Sequence, residues 1–288
     1  AHFVIESYEP GYMARLGLGY PELEKTNPRV IMTSITPFGQ TGPYAHHKVT
    51  DITLMAMGGL MQVFGDRDRP PVRISQSQAF FHGGIHGALG SVMAHYWRQS
   101  TGEGQHVDVS CQQALMLALL NYAEVWDLLK YNTKREGPFM ARARPAPLGP
   151  LLCRHVYGTR DGFALGYLQG GAQAGMVTSS RALTEWANSR GYALELKDYD
   201  WTKLDMATAP QSEMSRVQGA LQTFLVTRTK AEIIDKAVDR SVLFFPVTDA
   251  KDIRESPQFK AREFFVTVEH PELGAAITYP GFPIKVSR

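Results

Sequence analysis

The chain has 288 residues, 44% hydrophobic and 20% charged, which is enough to bury a sizeable core and is ordinary for a globular enzyme. Thirty basic residues against 28 acidic ones leave a net charge of +2, so no global field argues for nucleic acid or a membrane surface. Two cysteines, Cys111 and Cys153, lack metal-ligand spacing and are too few for a disulfide framework, so reduced thiols and a cytoplasmic setting are expected.

In chain order, FVIES (3–7) reads as a short apolar strand. A turn at Glu9-Pro10-Gly11 follows, then a helix carrying Met13, Leu16 and Leu18. RVIMTSI (29–35), after the Asn27-Pro28 breaker, is a β-branched run that predicts a buried strand. PFGQTGPY is a loop by its glycine and proline content, and DITLMAMGGLMQV (51–63) has helical spacing. Residues 82–99 predict a helix, with Gly83, Gly84, Gly87 and Gly90 giving it one smooth face. HVDVS (106–110) alternates like a strand, and QQALMLALLNYAEVWDLLKYN predicts one long amphipathic helix. The most apolar window of that stretch contains Asn121, Glu124 and Asp127 and is too short to span a bilayer.

KREGPFMARARPAPLGP marks a linker. VYGTRDGFALGYL beyond it predicts a hairpin turning at Asp161-Gly162, followed by helices to about residue 240. VLFFPVTDAKDI and EHPELGAAITYPGFPIKV read as strand and turn material. Strands alternating with helices over the first 130 residues argue for an α/β domain, and the remainder for a smaller α+β domain. The chain starts without Met at AHFVIESYEP and stops at PGFPIKVSR, so a fragment is expected.

No phosphate-binding loop, dinucleotide fingerprint, zinc signature or nucleophile elbow is present. His82 and His86 stand at i, i+4 on one helix face, a spacing that can bind a metal. No third ligand accompanies them, so packing or capping is the expected role and no metal is expected.

IESYEPGYMARLGLGYPELEKTNPRVIMTSITPFGQTGPYA closely resembles a signature block of the family III (class III) CoA-transferases, which include the formyl-CoA transferase and alpha-methylacyl-CoA racemase branches. DITLMAMGGLMQVFG, STGEGQHVDVSCQQAL, VYGTRDGF and the final HPELG…YPGFP fit the same family in the same order. The resemblance implies an α/β fold with a Rossmann-like large domain, here incomplete, a smaller α+β domain, and two chains threaded as an interlocked dimer. The implied division is a CoA-binding large domain over 1–133 without its first units, a linker over 134–152, a small domain over 153–265, and a segment over 266–288 returning to the large domain. An N- and C-terminally truncated member is therefore expected.

The resemblance also implies coenzyme A, carried as acyl-CoA, as the ligand. Its phosphates need cations and its adenine needs flat apolar walls. Arg15 and Lys48 match positions that contact CoA in the family, while Ser7 and Tyr8 occupy those of its Asn-Phe pair beside the cofactor. Catalysis in the family depends on an aspartate that must serve as both nucleophile and leaving group. Counting back from TGEGQ, or forward from Pro70-Pro71, puts that position at Phe80. Losing a nucleophile costs roughly 10⁴ to 10⁶-fold in rate. Asp51 and Asp108 fall where the family has acids with structural duties. The racemase histidine position carries Thr50, so racemisation is not expected either.

Three functions follow. The chain is the aspartate-lacking subunit of a heteromeric CoA-transferase, a homologous partner supplying the carboxylate; or an acyl-CoA lyase or isomerase with His82 or His86 as base; or a non-catalytic CoA-binding subunit. The partners implied are acyl-CoA, a carboxylic acid, and either an identical or a related chain, with neither nucleic acid nor membrane.

Overall fold

The computed structural model describes residues 1–286, and the chain divides into two compact units. The first spans Ala1–Cys153 with Ala207–Gln211; the second spans Arg154–Met206 and the residues from Ser212 onward.

The first unit is built on three parallel strands in the order β1-β2-β3, with β1 at Phe3–Glu6. Helices α1 (Tyr12–Arg15) and α2 (Tyr20–Thr26) lead into β2 (Ile31–Thr36), and Phe3 pairs with Ile31 and Glu6 with Ser34. The crossover from β2 to β3 runs through α3 (Asp51–Met57), a 3-10 turn at Leu60–Val63 and α4 (Ala79–Thr101). Strand β3 (Gln105–Ser110) then lies beside β2, Ile31 opposite Gln105 and Thr36 opposite Ser110. Strand β2 is central and almost wholly buried, as its β-branched run predicts.

Helix α4 carries small residues on its buried face, where Gly83, Gly87, Ser91 and Ala94 lie against the sheet. A Cβ on Gly87 would stand 2.6 Å from Ile35 Cδ1, and one on Gly83 would collide with Cys111 Sγ. Only glycine allows this approach. Thr33 Oγ1 and Ser91 Oγ are hydrogen-bonded at 2.7 Å, whereas Ile35 meets Gly83 and Gly87. Contacts thus move toward the start of α4 as β2 runs toward its end. The helix is antiparallel to the strand, and its N-terminus lies at the strands' carboxyl ends. Below it, Phe38, Leu54, Met55, Leu60, Ala79, Cys111 and Leu115 form one apolar cluster.

Three stretches up to residue 154 differ from expectation. The first helix ends at Arg15, leaving Leu16 and Leu18 outside it. The long helix expected over QQALMLALLNYAEVWDLLKYN is broken into α5 (Cys111–Met116), a 3-10 turn at Leu117–Leu119 and α6 (Tyr122–Leu129). Leu120 sits between them at φ 48° and ψ −107°, a positive-φ conformation outside the helical region that interrupts any helix. The stretch expected as a linker contains β4 (Phe139–Arg142), which pairs with β5 (Leu151–Arg154).

The second unit has an antiparallel sheet of β6 (Val156–Thr159), β7 (Gly162–Gly166) and β8 (Phe244–Pro246). Thr159 pairs with Gly162, so the predicted hairpin is present and turns at Arg160-Asp161. Helices α7 (Ala174–Asn188), α8 (Gln211–Leu225) and α9 (Lys230–Arg240) belong to this unit. Gln222, on α8, clamps the strand edge, its Oε1 accepting from the Gly158 amide at 3.2 Å and its Nε2 donating to the Gly158 carbonyl at 3.2 Å. Trp186, Phe224, Tyr157 and Phe244 pack the core, the first two edge-on with centroids 4.8 Å apart. Part of VLFFPVTDAKDI proves helical, as α10 (Ala250–Glu255); α11 (Pro257–Ala261) and a closing hairpin of β9 (Phe265–His270) and β10 (Ala275–Pro280) follow, clustered with this unit.

Candidate functional site at the carboxyl ends of the parallel strands

Ser7 and Tyr8 follow β1 directly and are exposed. The Tyr8 amide donates to Glu6 Oε2 at 2.7 Å, which fixes the turn out of the strand. The Tyr8 ring lies 4.7 Å from that of Tyr12, and the Arg15 guanidinium sits 5.6 Å from the Tyr12 centroid. Together these side chains make a pair of tilted aromatic rings with a cation over one of them. Arg15 is also held at 2.6 Å by Glu9, an exposed pair that an incoming anion can displace at little cost. Glu6 and Glu9, with Ser34 and His106, line a cavity of about 180 Å³ beside these residues.

Lys48 lies in the loop after β2, exposed and, among the described residues, without a hydrogen-bonded or ionic partner. Three residues on, the Asp51 carboxylate reaches across to the start of α4. The Gln78 amide donates to both of its oxygens at 3.1 Å, and the Phe80 amide to Oδ1 at 3.3 Å. A carboxylate so placed satisfies donors that a helix N-terminus leaves unpaired. Asp108 has a comparable task, accepting from the Gln40 amide at 3.0 and 3.1 Å and pinning the PFGQTG loop.

Phe80 stands in the first turn of α4 and is 46% exposed. His82 and His86 flank the glycine face one and two turns in, each partly buried. Among the described residues neither imidazole is hydrogen-bonded, and no group of three His, Cys, Asp or Glu side chains is placed to hold a metal ion. The Asp51 bridge brings the Lys48 loop to Phe80. Ser7, Tyr8 and Arg15 form a separate cluster at the same end of the sheet. Glu6, Glu9 and Tyr12 were not foreseen. The one signal that could have found them is their place at and just beyond the carboxyl end of a parallel strand, where such sheets present ligand-binding loops.

These features define a mixed α/β protein whose cationic and aromatic side chains gather at the carboxyl end of a parallel sheet. Over its whole length, residues 1–288, the chain matches CoA-transferase family III, and it belongs to that family. It is 34% identical over 287 residues to the succinyl-CoA:(R)-benzylsuccinate CoA-transferase subunit BbsE of Thauera aromatica, covering 99% of this chain and 66% of that protein. It is 28% identical to a formyl-CoA:oxalate CoA-transferase of Streptomyces avermitilis, covering 99% and 68%. The crystal structure of a CAIB/BAIF family protein from Brucella suis superposes with a TM-score of 0.70 at 25% identity, over 100% of this chain and 69% of that one. The chain thus spans about two thirds of the length of these relatives. Among the described residues, no helix is long and apolar enough to cross a membrane.

Proposed function

We propose that this chain is a subunit of an enzyme that moves CoA between an acyl-CoA and a carboxylic acid, and that a related chain supplies the nucleophilic carboxylate. The observation that carries this reading is the first turn of α4. Position 80 is phenylalanine, and the nearest carboxylate, Asp51, has both oxygens committed to backbone amides. In the family's reaction a free carboxylate attacks the thioester carbonyl, forming a mixed anhydride and releasing CoA thiolate. The thiolate attacks that anhydride to give an enzyme-CoA thioester and the freed acid, and the thioester then passes CoA to the acceptor. Phe80 has no lone pair with which to begin. The likeness to a protein named as a subunit of a CoA-transferase favours a heteromer.

On this reading the first unit is the CoA-binding part. Tyr8 and Tyr12 offer ring faces to the adenine, Arg15 and Lys48 offer charge to the phosphates, and Ser7 lies in the turn out of β1 beside Tyr8. Isothermal titration with CoA should give saturable binding to the chain, weakened about tenfold by Arg15→Ala or Lys48→Ala. A transfer assay should then need both this chain and an aspartate-bearing relative. Activity unchanged when this chain is omitted would sink the proposal.

A further inference from the structure

The first unit holds a second polar cavity, of about 560 Å³, in which neither Phe80 nor any of the CoA candidates takes part. Three cations, Arg67, Lys134 and Arg144, face it against a single carboxylate, Glu136, so its lining carries a net charge of +2. The Arg144 donors are occupied, holding the carbonyls of Gly149, Ala209 and Leu148 at 2.9, 2.7 and 3.4 Å. Its guanidinium therefore shapes the wall and contributes field rather than contact. Arg67 stands 3.8 Å from Glu136, beyond hydrogen-bond distance, and Lys134 has no partner among the described residues.

The Tyr131 hydroxyl lines the same cavity, buried and without a hydrogen-bond partner among the described residues. Burial pushes that phenol up, as does Glu136, with Arg67 opposing, so it is a protonated donor at neutral pH. Buried donors without acceptors are rare in folded proteins, and this one shares its cavity with two cations that have donors to spare. What the group lacks is an acceptor carrying negative charge. Glu136 opposes such a ligand, but it is a single carboxylate set against three cations in the same lining. Leu148 and Leu152 form an apolar wall, which a bare inorganic anion would not use.

We propose that this cavity binds a small organic carboxylate, its oxygens held by Arg67, Lys134 and the Tyr131 hydroxyl and its hydrocarbon body lying on Leu148 and Leu152. The site is separate from the CoA-transfer reading, because it contains none of the residues that reading uses and can be occupied whether or not CoA is transferred.

Calorimetric titration of the full chain with phenylacetate, its neutral amide and inorganic phosphate tests this directly. Phenylacetate should bind saturably, the amide about tenfold or more weaker, and phosphate weaker than phenylacetate. Lys134→Ala and Tyr131→Phe should each weaken phenylacetate by about tenfold while leaving CoA binding and the circular dichroism spectrum unchanged. Equal binding of acid and amide, equal binding in the variants, or no saturable binding of phenylacetate would overturn the proposal. Phosphate binding as tightly as the acid would overturn the assignment to an organic acid.

Discussion

Helix α4 and helix α8 pack against their neighbours by opposite rules. Helix α8 buries large side chains, Met214, Val217, Leu221, Phe224 and Leu225, as an amphipathic helix does. Helix α4 buries glycine, alanine and serine, and turns Phe81, Ile85, Val92 and Tyr96 outward, with Ile85 67% exposed and Tyr96 77%. In α8 stability comes from apolar area. In α4 it comes from backbone proximity, which sets the helix close on β2 and fixes where its first turn, with Phe80, meets the strand ends. The contrast teaches that α4 is arranged for position and α8 for bulk. An apolar stripe of this length on α4 is also more than isolated surface residues account for.

The contrast can be broken or sharpened by mutation. Phe224→Ala should cost the second unit about 3–5 kcal/mol, measured by urea unfolding followed through the buried Trp186 and Trp201. Gly87→Val should cost the first unit about 1–3 kcal/mol, because a Cβ has no room beside Ile35; an unchanged midpoint would mean α4 is not held by close approach. Asp51→Ala, which strips the cap from α4, should cost about 1 kcal/mol and leave the second unit's unfolding untouched. Ile85→Ser on the exposed face should cost less than about 0.5 kcal/mol in the isolated chain. A larger loss there, dependent on protein concentration, would show that the face is covered in solution.

The smallest effect concerns acid. Burial lowers the pKa of His155, whose Nε2 is enclosed without a hydrogen-bond partner. The folded form therefore holds this proton less well than the unfolded chain. Stability should be constant above the ordinary histidine value of about 6.5 and decline as pH falls below it toward the lowered folded value. His155→Gln should flatten that part of the profile. Both cysteines behave alike in this respect, since burial pushes the Cys111 and Cys153 thiols up to about 11, so each should react slowly with a thiol reagent until its unit unfolds.

Much of the first unit could be read from the sequence because its signals are local. The β-branched run of β2 falls on a central strand, and of the four glycines expected to share one helical face, those at 83, 87 and 90 meet the sheet and its flanking cysteine while Gly84 is exposed with nothing against it. The break at Leu120 could not be read, since apolar residues continue on both sides of it and periodicity carries no mark of a single positive-φ residue. Nor could the partnership of Asp51 with the start of α4, made across 27 residues of chain, or the hold of Glu9 on Arg15. Family resemblance located Phe80 and the CoA candidates but not their neighbours. The cavity around Tyr131 draws its lining from segments as far apart as Arg67 and Gln211, and no motif announces it.

The central claim is that this chain takes part in CoA transfer without supplying the nucleophile. It is tested most directly by incubating it, together with an aspartate-bearing relative, with an acyl-CoA and locating the covalent CoA adduct by intact-chain mass spectrometry. The account predicts an adduct on the relative and none on this chain. A CoA adduct on this chain, at Asp51 or any other carboxylate, would contradict it.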